Sequence, residues 1–131
     1  MGIISVLAAG LAAWIFGAVW YGVLAKQWMA ASGVAIGPNG RPANASRPGP
    51  YIISVISAIL VAGMMRHVFQ LAGIDTVAAG GVAGLGIGLF MATPWLMTCY
   101  GFAGRPFGLV LIDGGYASIG SAIIGAVLTL V

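Results

Sequence analysis

Charge is scarce in this chain: its 131 residues include five Lys or Arg, two Asp or Glu and one His, a formal net charge of +3 at pH 7. An average soluble domain is about 25% charged, because its water-facing positions must stay hydrated. So few charges cannot coat a globule of this length. A disordered chain is excluded from the other side, since disorder needs low hydrophobicity and high charge, and here 61% of residues are hydrophobic. The solvent of such a chain is mostly lipid.

Other absences narrow the function. The cations Lys26, Arg41, Arg47, Arg66 and Arg105 are scattered rather than gathered on one face. No nucleic-acid partner is expected, because phosphate binding needs concentrated basic charge. The single cysteine, Cys99, lies in an apolar run without a CxxC partner. It can form neither an intrachain disulfide nor a cysteine metal site and reads as a small buried hydrophobe. One histidine, His67, is too few for a metal centre. There is no Ser/His/Asp set with a nucleophile turn, no phosphate loop and no His/Cys/Glu cluster. Gly84-Leu85-Gly86 lies within an apolar run, with no strand before it, and is not a dinucleotide fingerprint. The expectation is a protein that is not an enzyme and carries neither metal nor cofactor.

What the chain has is length in apolar runs. A bilayer core about 30 Å thick needs roughly 20 apolar residues at about 1.5 Å rise each. Four segments satisfy this, at about 2–24, 51–72, 76–100 and 107–131. An interfacial stub, 25–32, and one polar loop, 33–50, separate the first two. Gly37-Pro38-Asn39-Gly40 and Arg47-Pro48-Gly49-Pro50 mark turns in that loop. The first segment opens without side-chain charge and ends in aromatics and Lys26, the reverse of a signal peptide, so a retained span is expected. The link Gly73-Ile74-Asp75 is short enough to make the second and third helices antiparallel neighbours. These features predict an all-α integral membrane protein, a single domain of four transmembrane helices in an up-down bundle. The loops after the first and third helices carry Lys26, Arg41, Arg47 and Arg105, against Arg66 on the other side. By the positive-inside rule this multi-pass protein puts those loops in the cytoplasm and both termini outside, as in a bacterial inner membrane. Asn44-Ala45-Ser46 matches a glycosylation acceptor but reads as a chance match in a cytoplasmic loop.

Small residues and aromatics pattern the helices. Gly80, Gly84 and Gly88 recur at four-residue spacing, with Gly81 and Gly86 alongside; the last helix offers Gly114, Ser118 and Ala122, then Ser121 and Gly125, and the second offers Ser54, Ala58 and Ala62. Helices in lipid associate by close backbone approach, which small residues allow. Such seams serve internal packing or a partner chain. Trp14, Tyr21 and Trp28 recur every seven residues on one helix stripe, with Trp20 beside them. Trp20, Tyr21 and Trp28 read as an interfacial belt, whereas Trp14 lies deeper and is expected to pack against a neighbouring helix over Gly17.

Ionisable groups within lipid are functional candidates. Asp113 lies about six residues into the fourth helix, some 9 Å deep by helical rise. Structural pairing with Arg105, Tyr100 or donors near a kink at Pro94 is one reading; a protonatable or cation-binding carboxylate facing a cavity is the other. Arg66 and His67 near the outer end of the second helix read as interface anchors within reach of Asp75. The expected helix ends place Arg66 about 14 Å from Asp113 along the membrane normal.

The run Trp14-Ile15-Phe16-Gly17-Ala18-Val19-Trp20-Tyr21, followed by Trp28-Met29, resembles the first helix of the bacterial and fungal membrane family known as domain of unknown function 1761. Leu111-Ile112-Asp113-Gly114-Gly115-Tyr116 is similar to that family's last segment, and Thr98-Cys99-Tyr100-Gly101-Phe102 sits where the family has a polar and aromatic helix end. The Gly- and Pro-rich loop has no counterpart in the resemblance. The resemblance implies a small four-helix membrane protein without an assigned activity, with Gly17, Trp20, Asp113 and Tyr116 as positions to test. Two functions are compatible with these residues. The first is helix association in the bilayer, as a homo-oligomer or an accessory subunit of a larger membrane complex. The second is a small oligomeric transporter or channel in which Asp113 binds a proton, cation or small solute and Arg66 or His67 lines the outer mouth.

Overall fold

The computed structural model describes residues 2–131, and these are helical apart from short connections and the polar loop. The elements are α1 (Gly2–Val23), α2 (Ala25–Ser32), α3 (Pro48–Ala72), α4 (Val77–Ile87), a π-helical turn (Gly88–Ala92), α5 (Thr93–Ala103) and α6 (Phe107–Leu130). With α4, the π turn and α5 taken as one helix, four helices are long and apolar enough to cross a membrane. The protein is an all-α integral membrane protein. Most of each span's surface lies on the outside of the bundle: even in α6, the most enclosed, 39% of the most apolar window is buried.

Helix ends follow local chemistry. The second span starts at Pro48, three residues before the expected start at 51, because prolines in a first turn lack only N–H groups that would have had no partner. Gly73 closes it in the left-handed region, φ 71°. Thr76 caps the next helix by accepting from the Ala79 N–H at 3.2 Å. That span continues past the expected end at residue 100 to Ala103, where Gly104 at φ 72° stops it. The proline at 94 is accommodated by the π turn before it. The Thr93 N–H bonds back to the Gly88 carbonyl, and the Thr93 hydroxyl donates to the same oxygen at 2.7 Å.

Packing radiates from α6, which touches every other helix. Its tightest seam is with α4. A Cβ at Gly80 would strike the carbonyl oxygen of Gly125, one at Gly84 that of Ser121, and one at Gly88 that of Ala117. Residue numbers rise on one helix as they fall on the other, so this pair is antiparallel. The seam glycines are thus engaged within the chain. The α1–α3 seam is looser: Gly10 faces the Ile59 backbone, and Ala9, Ala13, Ala62, Met65, Phe69 and Ile124 form the core. The short link does not make the second and third spans pack along each other; α6 is the helix that both of them meet. A link restrains only helix ends, whereas close backbone approach along a whole seam decides the neighbour in lipid. Cys99, expected to be buried, is exposed on α5.

Candidate functional site

At one end of the bundle the last turns of α1 and α5 meet the start of α6, and this places Asp113. Tyr21 donates its hydroxyl to Asp113 Oδ1 at 2.6 Å, and Tyr100 donates to Oδ2 at 2.5 Å. Both carboxylate oxygens of the half-buried side chain are therefore satisfied by charge-assisted bonds from two different helices. Tyr100 is one of the partners expected from sequence; Arg105 is not, and its guanidinium lies against Gly33 instead.

The glycines around the carboxylate admit its neighbours. A Cβ at Gly115 would come within 2.7 Å of the Trp20 ring, and one at Gly114 within 2.8 Å of Thr93 Cγ2. With both hydrogens in place of side chains, Trp20 reaches the Ile112 carbonyl and donates its indole N–H at 2.9 Å. Gly17 similarly lies under Tyr116, whose ring stands 5.3 Å from that of Tyr21 and 6.3 Å from that of Phe16. Tyr21 in turn meets Trp28 edge-on at 6.1 Å. Trp20 and Tyr21, expected as headgroup-level aromatics, turn their polar atoms inward onto α6. The aromatic spacing could be read in either way, because seven-residue recurrence marks a stripe and not the direction in which it looks.

A cavity of about 510 Å³ opens beside the carboxylate. From α1 and α2 come Trp14, Gly17, Ala18, Tyr21 and Trp28; from α6, Asp113 and Tyr116; from α3, Pro50, Tyr51 and Ser54. The polar loop supplies Pro42, Asn44 and Ala45. That loop is held in a small hairpin by Gly37 N–H to Arg41 O and Ala43 N–H to Ala35 O, both 2.7 Å, with Gly40 at φ 75°. Tyr51 fastens it to the bundle by donating to the Ala45 carbonyl at 2.6 Å. Trp14 reaches a neighbouring helix as expected and donates to Ser54 Oγ at 2.8 Å, but the ring that lies over Gly17 is Tyr116, not Trp14. Ser54, Tyr51 and the loop residues were not candidate functional residues in the sequence. The aromatic at 51 just after a proline-rich helix start is the one local signal of this contact.

Arg66 and His67 are not part of this site. The Arg66 guanidinium lies beside Gly2, at the opposite end of α1 from Tyr21, a separation of about 28 Å by helical rise. That is twice the expected offset, because Asp113 stands level with the first turn of α3 rather than deeper along it. His67 is exposed. Ser118 is buried at the π turn, 3.5 Å from the Thr93 hydroxyl. Among the described residues no group of His, Cys, Asp and Glu is placed to hold a metal ion.

The class these features define is a polytopic helical membrane protein with a carboxylate-bearing cavity at one end. The model of the protein family of unknown function DUF1761 matches residues 4–129, and the chain belongs to that family. No curated protein and no solved structure matches it.

Proposed function

We propose that this chain is a small-solute-handling membrane protein, non-enzymatic, which binds its solute in the cavity beside Asp113 and passes it across the bilayer as part of an oligomer. The observation that carries this reading is a carboxylate, held by two tyrosine hydroxyls from separate helices, on the wall of an aromatic cavity of about 510 Å³. Small-molecule sites have this character: concave, mostly apolar, with a few convergent polar groups, at roughly 300–1,000 Å³. The span that contains the π turn contributes Tyr100, one of the two hydroxyls on the carboxylate. Four spans enclose too little volume for a full pathway, which is why the proposal includes an oligomer. Lys26, Arg41, Arg47 and Arg105 flank the Asp113 end, which accordingly faces the cytoplasm, as in a bacterial inner membrane with both termini outside.

Flux into liposomes tests this. Wild-type protein should accelerate uptake from a panel of small solutes, and Asp113→Asn should abolish it. No flux from the wild type, or equal flux from the variant, ends the proposal.

A second reading, association as a homo-oligomer or an accessory subunit, rests on a separate observation. Gly81 and Gly86 have nothing within 4 Å of where a Cβ would stand, so α4 keeps small residues free outside its seam with α6. Mass measurement of the particle in mild detergent tests it, and a strict monomer without a co-purifying chain would remove it.

A further inference from the structure

We infer that the cavity beside Asp113 selects an organic monocation, an alkylated ammonium group; this rests on the solute-handling reading and names its substrate class. The chemistry of the wall sets the preference. The Trp14 indole N–H is committed to Ser54 Oγ, the Ser54 hydroxyl to the Tyr51 carbonyl, the Tyr51 hydroxyl to the Ala45 carbonyl, and the Tyr21 hydroxyl to Asp113. Four donors of the lining are thus used within the protein. Besides the Trp28 indole N–H, the Tyr116 hydroxyl and the Asn44 amide, which are neutral donors, the wall presents ring surface and acceptor oxygens. An ionised carboxylate offers about four lone-pair sites, and two tyrosines occupy two of them, so Asp113 retains acceptor capacity.

Asp113 is also the one charged side chain among the described residues that line the space. An anion entering would meet that charge with no Lys or Arg to offset it. A neutral apolar solute would fit the rings but strip water from the carboxylate without replacing it. An ammonium group answers both needs, since it neutralises the carboxylate and is attracted to the faces of Trp and Tyr. Trp14, Trp28, Tyr21 and Tyr51 line the same space. The ammonium group can belong to a free cation or to a lipid headgroup. A headgroup brings a phosphate within a few bonds, and no cation lines the cavity to receive it, which favours the free cation.

The test uses three probes of one shape: choline, its neutral isostere 3,3-dimethylbutan-1-ol, and the anion 3,3-dimethylbutanoate. Each is titrated onto the full chain in neutral maltoside micelles while tryptophan fluorescence is followed, with empty micelles as background. Choline is expected to bind at least tenfold more tightly than the alcohol, and the anion least of all. Asp113→Asn should bring choline down to the level of the alcohol, and Trp28→Leu should weaken choline at least threefold. If Asp113→Asn does not fold, the ratio between probes in the wild type and the Trp28→Leu variant still decide. Added phosphatidylcholine that displaces choline, where phosphatidylglycerol does not, identifies a headgroup as the source; displacement by neither identifies a free cation. If the alcohol or the anion binds as tightly as choline, the cation inference is overturned while the solute-handling reading stands. If none of the three binds, the cation inference fails, and the flux panel judges the broader reading independently.

Discussion

Tyr21 and Asp113 lie 92 positions apart in the chain and share a hydrogen bond of 2.6 Å that ties the end of the first span to the start of the last. Removing the hydroxyl in Tyr21→Phe leaves a half-buried carboxylate oxygen with one partner fewer. A hydrogen bond to a charged group contributes about 1.5–3 kcal/mol, so thermal unfolding in detergent should show a loss of that order. Tyr100→Phe should cost a similar amount. In a double-mutant cycle the Tyr21→Phe and Asp113→Asn effects should be non-additive by about 0.5–3 kcal/mol; strict additivity would mean that the bond does not form in the bilayer.

The α4–α6 seam makes a prediction by contrast. Gly84→Ala places a methyl group on the Ser121 carbonyl oxygen, whereas Gly86→Ala, one half-turn on, meets nothing within 4 Å. Overpacking against backbone costs about 1–3 kcal/mol, and an added Cβ in open helix contributes up to about 1 kcal/mol of stabilisation. Thermal midpoints should therefore fall for Gly84→Ala and hold or rise for Gly86→Ala. Equal shifts would contradict the seam.

Gly115 supports Trp20. In Gly115→Ala the new methyl group occupies the position 2.7 Å from the Trp20 ring, which must move away and lose the Ile112 carbonyl. The expected result is a change in the emission maximum of Trp20, measured in a background where Trp14, Trp28 and Trp95 are Phe. An unchanged spectrum would show that the ring lies elsewhere.

Tyr51 fastens the roof of the cavity. With Tyr51→Phe the polar loop loses its side-chain bond to the bundle at Ala45, while the hairpin bonds of Gly37 and Ala43 remain. Hydrogen exchange at Ala45 and Arg47 should quicken several-fold, with amides in α1 and α6 unaffected. Exchange that is uniform, or unchanged, would show that the loop is held by other contacts.

Much of this architecture was legible beforehand because it depends on local properties. Apolar run length places four spans, scarce charge places them in lipid, and the spacing of Gly80, Gly84 and Gly88 marks a face of close approach. Asp113 stood out as a carboxylate inside an apolar run. Helix ends were displaced by three residues where a proline pair or a glycine cap decided them. The partner of each seam was not legible, since small-residue spacing says that a backbone can come close but not whose. For the same reason the inward turn of Trp20 and Tyr21 and the loop's place over the cavity were hidden.

The amino-acid order alone thus determined the solvent, the number of spans and the residues able to pack closely, because hydropathy and periodicity act within one helix. Only the tertiary structure decided that α6 lies among the others, that Tyr21 and Tyr100 converge on Asp113, and that the polar loop roofs a cavity there. Those outcomes depend on register between helices. In lipid, register is set by steric fit and interhelical hydrogen bonds, which exist only once the helices have met.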